Sequence, residues 1–475
     1  MNGARHRAKA GFVSMVSLAA ALVAGCTNNG QQPNPPSEAE PHVITVWTTE
    51  TLPDRMAKSR AIVERFTAAT GVTVDLVGVP AHRFSQIVGS SEASGDLPDV
   101  IGSISLGQVR TLAARGLVNT ELNASVILAL GEHTWSPRAL DLTREGSRQL
   151  SVPDSSWQHL LYYRKDLFAQ AGLAAPKTYA DIMAAAKKLD TPQMAGFVAA
   201  NKSGQAFTQQ SFEHIAQGNG CEMVNGKDGI TFESPQCVAA LGFYRDILKN
   251  YSVPGLQDID TVRNAYISGK AAMAIWPTLM LDELAGLRID AKPSCTECTS
   301  DPGFLARNTG VVAGLLGPDG KQPAQFGEIT SWTITKDSDT EPARRFVEYV
   351  MSDGYADWLA IAPEERLPVR AGSAGKPAEY SDAWTKMPAG VGKQEPLGKF
   401  YSQDVLSVLL RGPEDVRHWG IIQGQGDLAG AALSELPIAK AVSDVTAGRA
   451  DPKAAAHKAA VSLRSILGSV GSSMR

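Results

Sequence analysis

Eight histidines are scattered along the 475 residues. No two stand four apart, so no helix presents the paired ligands of a zinc hydrolase. His82, His133, His159, His214 and His418 show no metal-ligand spacing and read as ordinary surface or half-buried groups. Ser373 and Lys376 have S-x-x-K spacing, but they sit in a glycine-rich stretch without companion motifs. Gly424-Gln425-Gly426-Asp427-Leu428-Ala429 has the outline of a dinucleotide loop, with no strand before it and no βαβ unit after it. No H-E-x-x-H, Walker A or G-x-S-x-G pattern is present. Carboxylates are numerous enough to supply a glycosidase pair, which counting alone does not test. The chain reads as one that does no covalent chemistry and uses no metal or cofactor. Its remaining candidates are polar and aromatic residues on short β-rich runs. Trp47, Thr49 and Glu50 end the first run, Ser103 ends PDVIG, Trp157 precedes HLLYYR and Trp276 ends AAMAIW. Trp332 and Trp419 fit a core as well as a site.

The elements that would position these residues alternate. ITVWT (44–48) reads as a strand, and a helical face of Ile62, Val63, Phe66 and Ala69 follows, stopped by Gly71. VTVDLVGV (72–79) is a strand, 82–94 helical, and PDVIGSI (98–104) a third strand. This order predicts a parallel α/β sheet. HLLYYR (159–164) and GFVAA (196–200) read as strands, and Thr178 with Asp181 forms a capping box before a helix. Ser234-Pro235 starts a helix through Lys249. AAMAIW (271–276), VVAGLL (311–316) and SWTIT (331–335) read as strands, a helix follows Pro342, and the last hundred or so residues are mostly helical.

Composition is that of a globular protein, with 43% hydrophobic and 20% charged residues, which excludes disorder and a multi-span membrane protein. A net charge of -4 gives no nucleic-acid footprint. The N-terminus reads as an address. RHRAK (5–9) is a positive region, and the apolar run 11–24 is too short to span a bilayer but suits a signal peptide. Val23-Ala24-Gly25-Cys26 resembles the bacterial lipobox, which implies cleavage before Cys26 and acylation of its thiol. Residues 27–41, rich in proline and polar groups, predict a flexible tether. A body held by acyl chains on the outer face of the cytoplasmic membrane is the expectation.

Four further cysteines remain, and an extracytoplasmic address favours pairing them. The local pairs Cys221–Cys237 and Cys295–Cys298 are preferred. The rivals are a redox C-x-x-C at Cys295–Cys298, disfavoured by its loop-like surroundings, and a four-cysteine zinc site.

Six pieces of the chain, in order, resemble family 1 extracellular solute-binding proteins, the carbohydrate-type receptors of ABC importers. They are ITVWTTE (44–50), GDLPDVIGS (95–103), RGLVNTEL (115–122), the long stretch 151–189 containing YYRKDLF and AGL, NAYISGKAAMAIWPT (264–278) and WTITKDSDTEPARRFVEYVMSD (332–353). In the fifth, Trp276 stands where the family has glycine. The resemblance implies an α/β, two-lobe periplasmic-binding-protein-like fold with hinge crossovers and a ligand cleft. Lobe one is expected to hold 42–152 and 300–362, and lobe two 153–299 and 363–475.

The resemblance also implies a monomeric receptor delivering a sugar or oligosaccharide to permease subunits. A glycerophosphodiester receptor is the first alternative and a carbohydrate-active enzyme the second. Within the implied cleft, Thr49 and Glu50 would hydrogen-bond ligand hydroxyls, Ser103 would touch ligand, and Trp157 would be the main stacking surface. Trp47, Trp276, Trp332 and Trp419 would supply further aromatic contact, and Arg366 would bridge to solute or to Glu50. Binding is expected to use stacking and neutral hydrogen bonds, with little dependence on salt.

Overall fold

The computed structural model describes residues 42–226 and 229–473; the leader, Cys26 and the tether lie outside them. Strand β1 (Val43–Thr48) leads into helix α1 (Pro53–Thr70), which has proline in its first turn and stops at Gly71 with φ 75°. A left-handed φ costs glycine little, which is why the helix ends there. Strand β2 (Thr73–Gly78), helix α2 (Phe84–Ser94), strand β3 (Val100–Ile104) and helix α3 (Leu106–Ala114) follow. β1 pairs in parallel with both β2 and β3, as the alternation predicts. Ser105 caps α3 in a capping box with Gln108, so the N-terminus of α3 is fixed directly after β3.

The next strand, β4 (Val152–Arg164), is 13 residues long and spans roughly 40 Å at the usual rise. It starts seven residues before the predicted HLLYYR run, because Pro153 sits near its beginning, where a missing amide donor is tolerated. After it come α4 (Tyr179–Leu189), α5 (Ala206–Gly218) and α6 (Pro235–Tyr251). Thr178–Asp181 forms the capping box on α4, and Ser234 caps α6 with Pro235 in its first turn. Strands β5 (Met273–Pro277), β6 (Thr309–Val312) and β7 (Gln325–Ile334) lead to helix α7 (Thr340–Val350) and the two-residue strands β8 (Leu367–Pro368) and β9 (Val416–Arg417). Helices α8 (Gly426–Glu435), α9 (Pro437–Thr446) and α10 (Pro452–Ser473) close the chain. The predicted strand 196–200 makes only isolated bridges, Ala195 to Ala271 and Val198 to Ala274, and the predicted strand 311–316 shortens to β6.

The sheet runs β6-β4-β7-β3-β1-β2, with β5 and β8 also on β4 and β9 on β7. β4 and β7 are antiparallel to each other, and β7 is antiparallel to β3, so the sheet is mixed. The first half of β4 pairs with β7 and β8, and the second half, from His159 onward, pairs with β5 and β6. β4 and β7 are therefore the strands that cross from one side of the molecule to the other. Residues 309–312, expected with lobe one, pair with the half of β4 that carries β5.

The side containing β1–β3 is packed by α1 and α7, where Phe66 meets Phe346 edge to face at 5.2 Å. The other side is packed by α5, α6, α9 and α10 against one another. Disulfides Cys221–Cys237 and Cys295–Cys298 are both formed, as the local reading expects. Among the described residues, no helix is long and apolar enough to cross a membrane, and no group of three or more His, Cys, Asp or Glu is placed to hold a metal ion.

Candidate ligand-binding site

A cavity of about 820 Å³ opens where the two crossing strands meet the ends of β1 and β3, a size suited to a small organic ligand. β4 brings Trp157 and β7 brings Glu328 and Thr330; β1 and β3 end in Thr49 and Ser103. The start of α3 adds Ser105 and Gln108, α5 adds Gln210, and α8 adds Asp427 and Ser434. α3 and α8 form one wall, in contact through Gly107 and Gly430.

Trp157 is half-buried. Its ring rests edge-on against Phe326 and His159, each at a centroid distance of 5.9 Å. One part of the indole is thus fixed by packing while another borders the cavity. Ser103 has φ 57°, a conformation that costs a residue with a Cβ of order 1–3 kcal/mol. The Thr49 hydroxyl donates to its carbonyl. The Ser103 hydroxyl is buried without a hydrogen-bond partner at the cavity wall. Its strained backbone and buried hydroxyl at the cavity wall make Ser103 a candidate for polar contact.

Glu328 is 4% exposed. Its Oε1 accepts from the Leu106 amide at 2.9 Å, and its Oε2 lies 3.8 Å from His418 Nε2. Burial pushes its carboxyl up to about 7, against the opposing pull of the Leu106 and Ile329 amides. Burial also lowers His418 to about 4 and His214 to about 3, so both are neutral near pH 7. His159, His214 and His418 are all fully buried or nearly so around Phe326, which corrects the expectation that they lie at the surface or half-buried. Metal-ligand spacing says nothing about burial, and the aromatic neighbours of these imidazoles are distant in sequence.

The structure brings Thr49, Ser103 and Trp157 to the cavity and places the other sequence candidates elsewhere. Trp47 is 8% exposed and packs in the core with Val79, Phe84 and Ile101. Trp276 is buried, its indole N–H donating to the Ile259 carbonyl at 3.1 Å. Trp332 lies flat over Gly102, where a Cβ would come within 2.2 Å of its ring, and it packs on Trp358 at 4.8 Å. Trp419 is buried with its N–H on the Cys221 carbonyl at 2.9 Å. These four are core residues because their side chains point into packed layers.

Glu50 and Arg366 form an ion pair with each other, reinforced by Arg55 at 3.6 Å from Glu50. Burial pushes the Glu50 carboxyl up, but Arg366 and Arg55 outweigh it and hold the group below its ordinary value. The Arg366 guanidinium stacks 3.7 Å over Trp358. The expectation that Arg366 bridges to Glu50 is met.

Glu328, Thr330 and Gln210 carry no mark in the sequence reading, and Asp427 enters it only within the dinucleotide-loop outline that lacks a βαβ unit. Glu328 is the one charged residue of the strand QFGEITSWTI, and that lone charge is the signal that could have marked it.

Comparison with known proteins gives a consistent result. A family model described as bacterial extracellular solute-binding protein matches residues 61–389. The putative ABC transporter periplasmic-binding protein YcjN of Escherichia coli (strain K12) is 28% identical over 406 residues, 84% of this chain and 86% of that protein. Among solved structures, the GacH receptor of Streptomyces glaucescens superposes with a TM-score of 0.66 at 19% identity, covering 90% of this chain and 99% of that one. The cyclic alpha-maltosyl-1,6-maltose binding protein of Arthrobacter globiformis gives 0.67 at 19% identity, with coverage of 90% and 99%. The fold is the two-lobe α/β architecture of periplasmic binding proteins. With most of its length matched by the family model and by YcjN, the chain belongs to the bacterial extracellular solute-binding proteins, which are binding proteins and not enzymes.

Proposed function

We propose that this receptor captures an uncharged sugar or oligosaccharide beside Trp157 and delivers it to an ABC importer, while held to the outer face of the cytoplasmic membrane by acyl chains on Cys26. The observation that carries the ligand class is the make-up of the cavity. It combines one half-buried indole with the hydroxyls of Thr49, Ser103, Ser105, Thr330 and Ser434. Among the described residues its one basic lining residue, Arg115, is ion-paired with Glu92. A phosphodiester would need an unpaired Arg or Lys, so the cavity favours the sugar. GacH has been crystallised with acarbose, a likeness that supports the same class for this chain.

The lobes are assigned as 42–152 with about 325–362, and 153–324 with 363–475, the boundary moved to follow the pairing of β6 with β4. β4 and β7 then serve as two of the hinge crossovers, and closure about them buries the solute against the floor they form, beside the wall made by α3 and α8. The receptor acts as a monomer.

The test is a thermal-shift screen of the mature protein against neutral sugars, polyols and glycerophosphodiesters. Stabilisation by a sugar, on the order of 2.7 kcal/mol at a hundred times Kd, supports the reading. Stabilisation by the phosphodiesters alone would replace it.

A further inference from the structure

Glu328 and Trp157 are direct partners across β7 and β4. Partners in an antiparallel pair hold their Cβ atoms about 5 Å apart on the same face, and both side chains line the cavity. A ring lying on the indole therefore presents its edge, where the hydroxyls are, to the carboxyl group. Glu328 is held from one side of the cavity and lies close to the other. Oε1 takes the first amide of α3, and Oε2 stands beside His418, which follows β9.

We propose that Glu328 is the specificity-determining residue of this site, that its Oε2 accepts a hydrogen bond from a hydroxyl on the edge of the ring stacked on Trp157, and that ligand capture releases one proton from this carboxyl to solvent. The inference rests on the sugar-receptor reading given above.

The physical argument concerns what surrounds the group. The Leu106 and Ile329 amides already donate to Glu328, and a ligand hydroxyl adds one more donor, which favours the ionised form. Few charges compete. His418 and, across Phe326, His214 and His159 are lowered by burial. Glu213 on α5 is raised well above its ordinary value, and Asp427 on α8 is raised by burial. Among the described residues, no Arg or Lys forms an ion pair with Glu328 that would fix its charge before ligand arrives. Burial pushes its carboxyl up to about 7. The bound form should titrate lower, so affinity is fully developed above the empty-state value and falls as pH drops below it.

The experiment is calorimetry on the mature protein at pH 6 and pH 8, in two buffers of different ionisation enthalpy. The probe is whichever of maltose, laminaribiose, tagatose, mannitol and ribitol binds most tightly. Wild type should bind about tenfold more tightly at pH 8 than at pH 6, with close to one proton released at the lower pH. Glu328→Gln keeps an acceptor for the Leu106 amide and so retains the fold. It should bind about tenfold more weakly than wild type at pH 8, show no pH step and release no proton. A pH step that persists in Glu328→Gln, or a wild type with no step, overturns the inference while leaving the sugar-receptor reading intact. Failure of all five probes to bind wild type overturns both.

Discussion

Trp157 and Glu328 face each other in register across the two antiparallel strands that cross the molecule. One offers an apolar face and the other a hydrogen-bonding edge, and both border the same cavity. The pairing follows from topology: strands that carry the chain between the lobes must pass the cleft, so their mid-strand residues become its floor. Under the proposed lobe assignment, ligand recognition and the hinge would share these residues, and solute at the floor would be sensed by both lobes.

Ser103 offers a test in which stability and affinity move in opposite directions. Its φ of 57° is strained for serine and relaxed for glycine. Ser103→Gly should raise the unfolding free energy by about 1 kcal/mol, read by urea denaturation. It should also weaken sugar binding by roughly five- to tenfold, because the hydroxyl at the cavity wall is lost. A variant that loses stability and keeps its affinity would mark Ser103 as a turn residue only.

Buried carboxyls set the pH dependence of stability. Burial raises Glu328 and Glu283 to about 7 each, the pull of Arg263 and Arg288 only partly offsetting it for Glu283. A carboxyl with a raised folded-state value keeps its proton longer in the native state than in the unfolded chain. Stability therefore falls as pH rises toward and through 7. The buried histidines oppose this until unfolded histidine has lost its proton, so their opposing effect is still present at pH 6.5 and fades over about one pH unit above it. Between pH 6.5 and 8 the unfolding free energy should drop by on the order of 1 kcal/mol for each such carboxyl. Glu328→Gln should remove its share of the slope, and an unchanged slope in that variant would contradict the assignment.

The two disulfides stabilise a folded body that also has a large core. The chain-entropy model gives roughly 3 kcal/mol for a loop the size of that closed by Cys221–Cys237. Peptide mapping of oxidised protein should find both local links and no free thiol among these four cysteines. Double replacement of Cys221 and Cys237 by serine should lower the melting temperature without altering sugar affinity. A crossed link from Cys221 to Cys295 would contradict the fold.

Anchoring is read from sequence alone. Cys26→Ala should move the protein from the membrane pellet to the soluble fraction and leave ligand binding unchanged. Retention in the pellet would show that the lipobox reading is wrong.

What the sequence made legible was local. Gly71, Thr178 with Asp181, and Ser234-Pro235 end or begin helices through chemistry within four residues, and each is observed in that role. Ser103 and Trp157 were found because they flank strands that approach the cleft. The same rule misplaced Trp47, Trp276, Trp332 and Trp419, since a position on a strand does not say which face the ring takes. Packing decides that: Trp332 turned inward because Gly102, more than two hundred residues away, left room for its ring. Glu328 was hidden for a related reason. Its partners, Trp157, Leu106 and His418, come from three separated segments, and no spacing rule connects them.

The most direct test of the central claim is titration calorimetry of one sugar, found by the thermal-shift screen, against wild type and Trp157→Ala in low and 0.5 M salt. Stacking one face of a ring on indole contributes on the order of 1–3 kcal/mol. The account therefore predicts a loss of roughly 10- to 100-fold in Trp157→Ala with the fold intact, little change with salt, and sugar recovered unaltered. An affinity unchanged in Trp157→Ala, or one that collapses in salt, would contradict it.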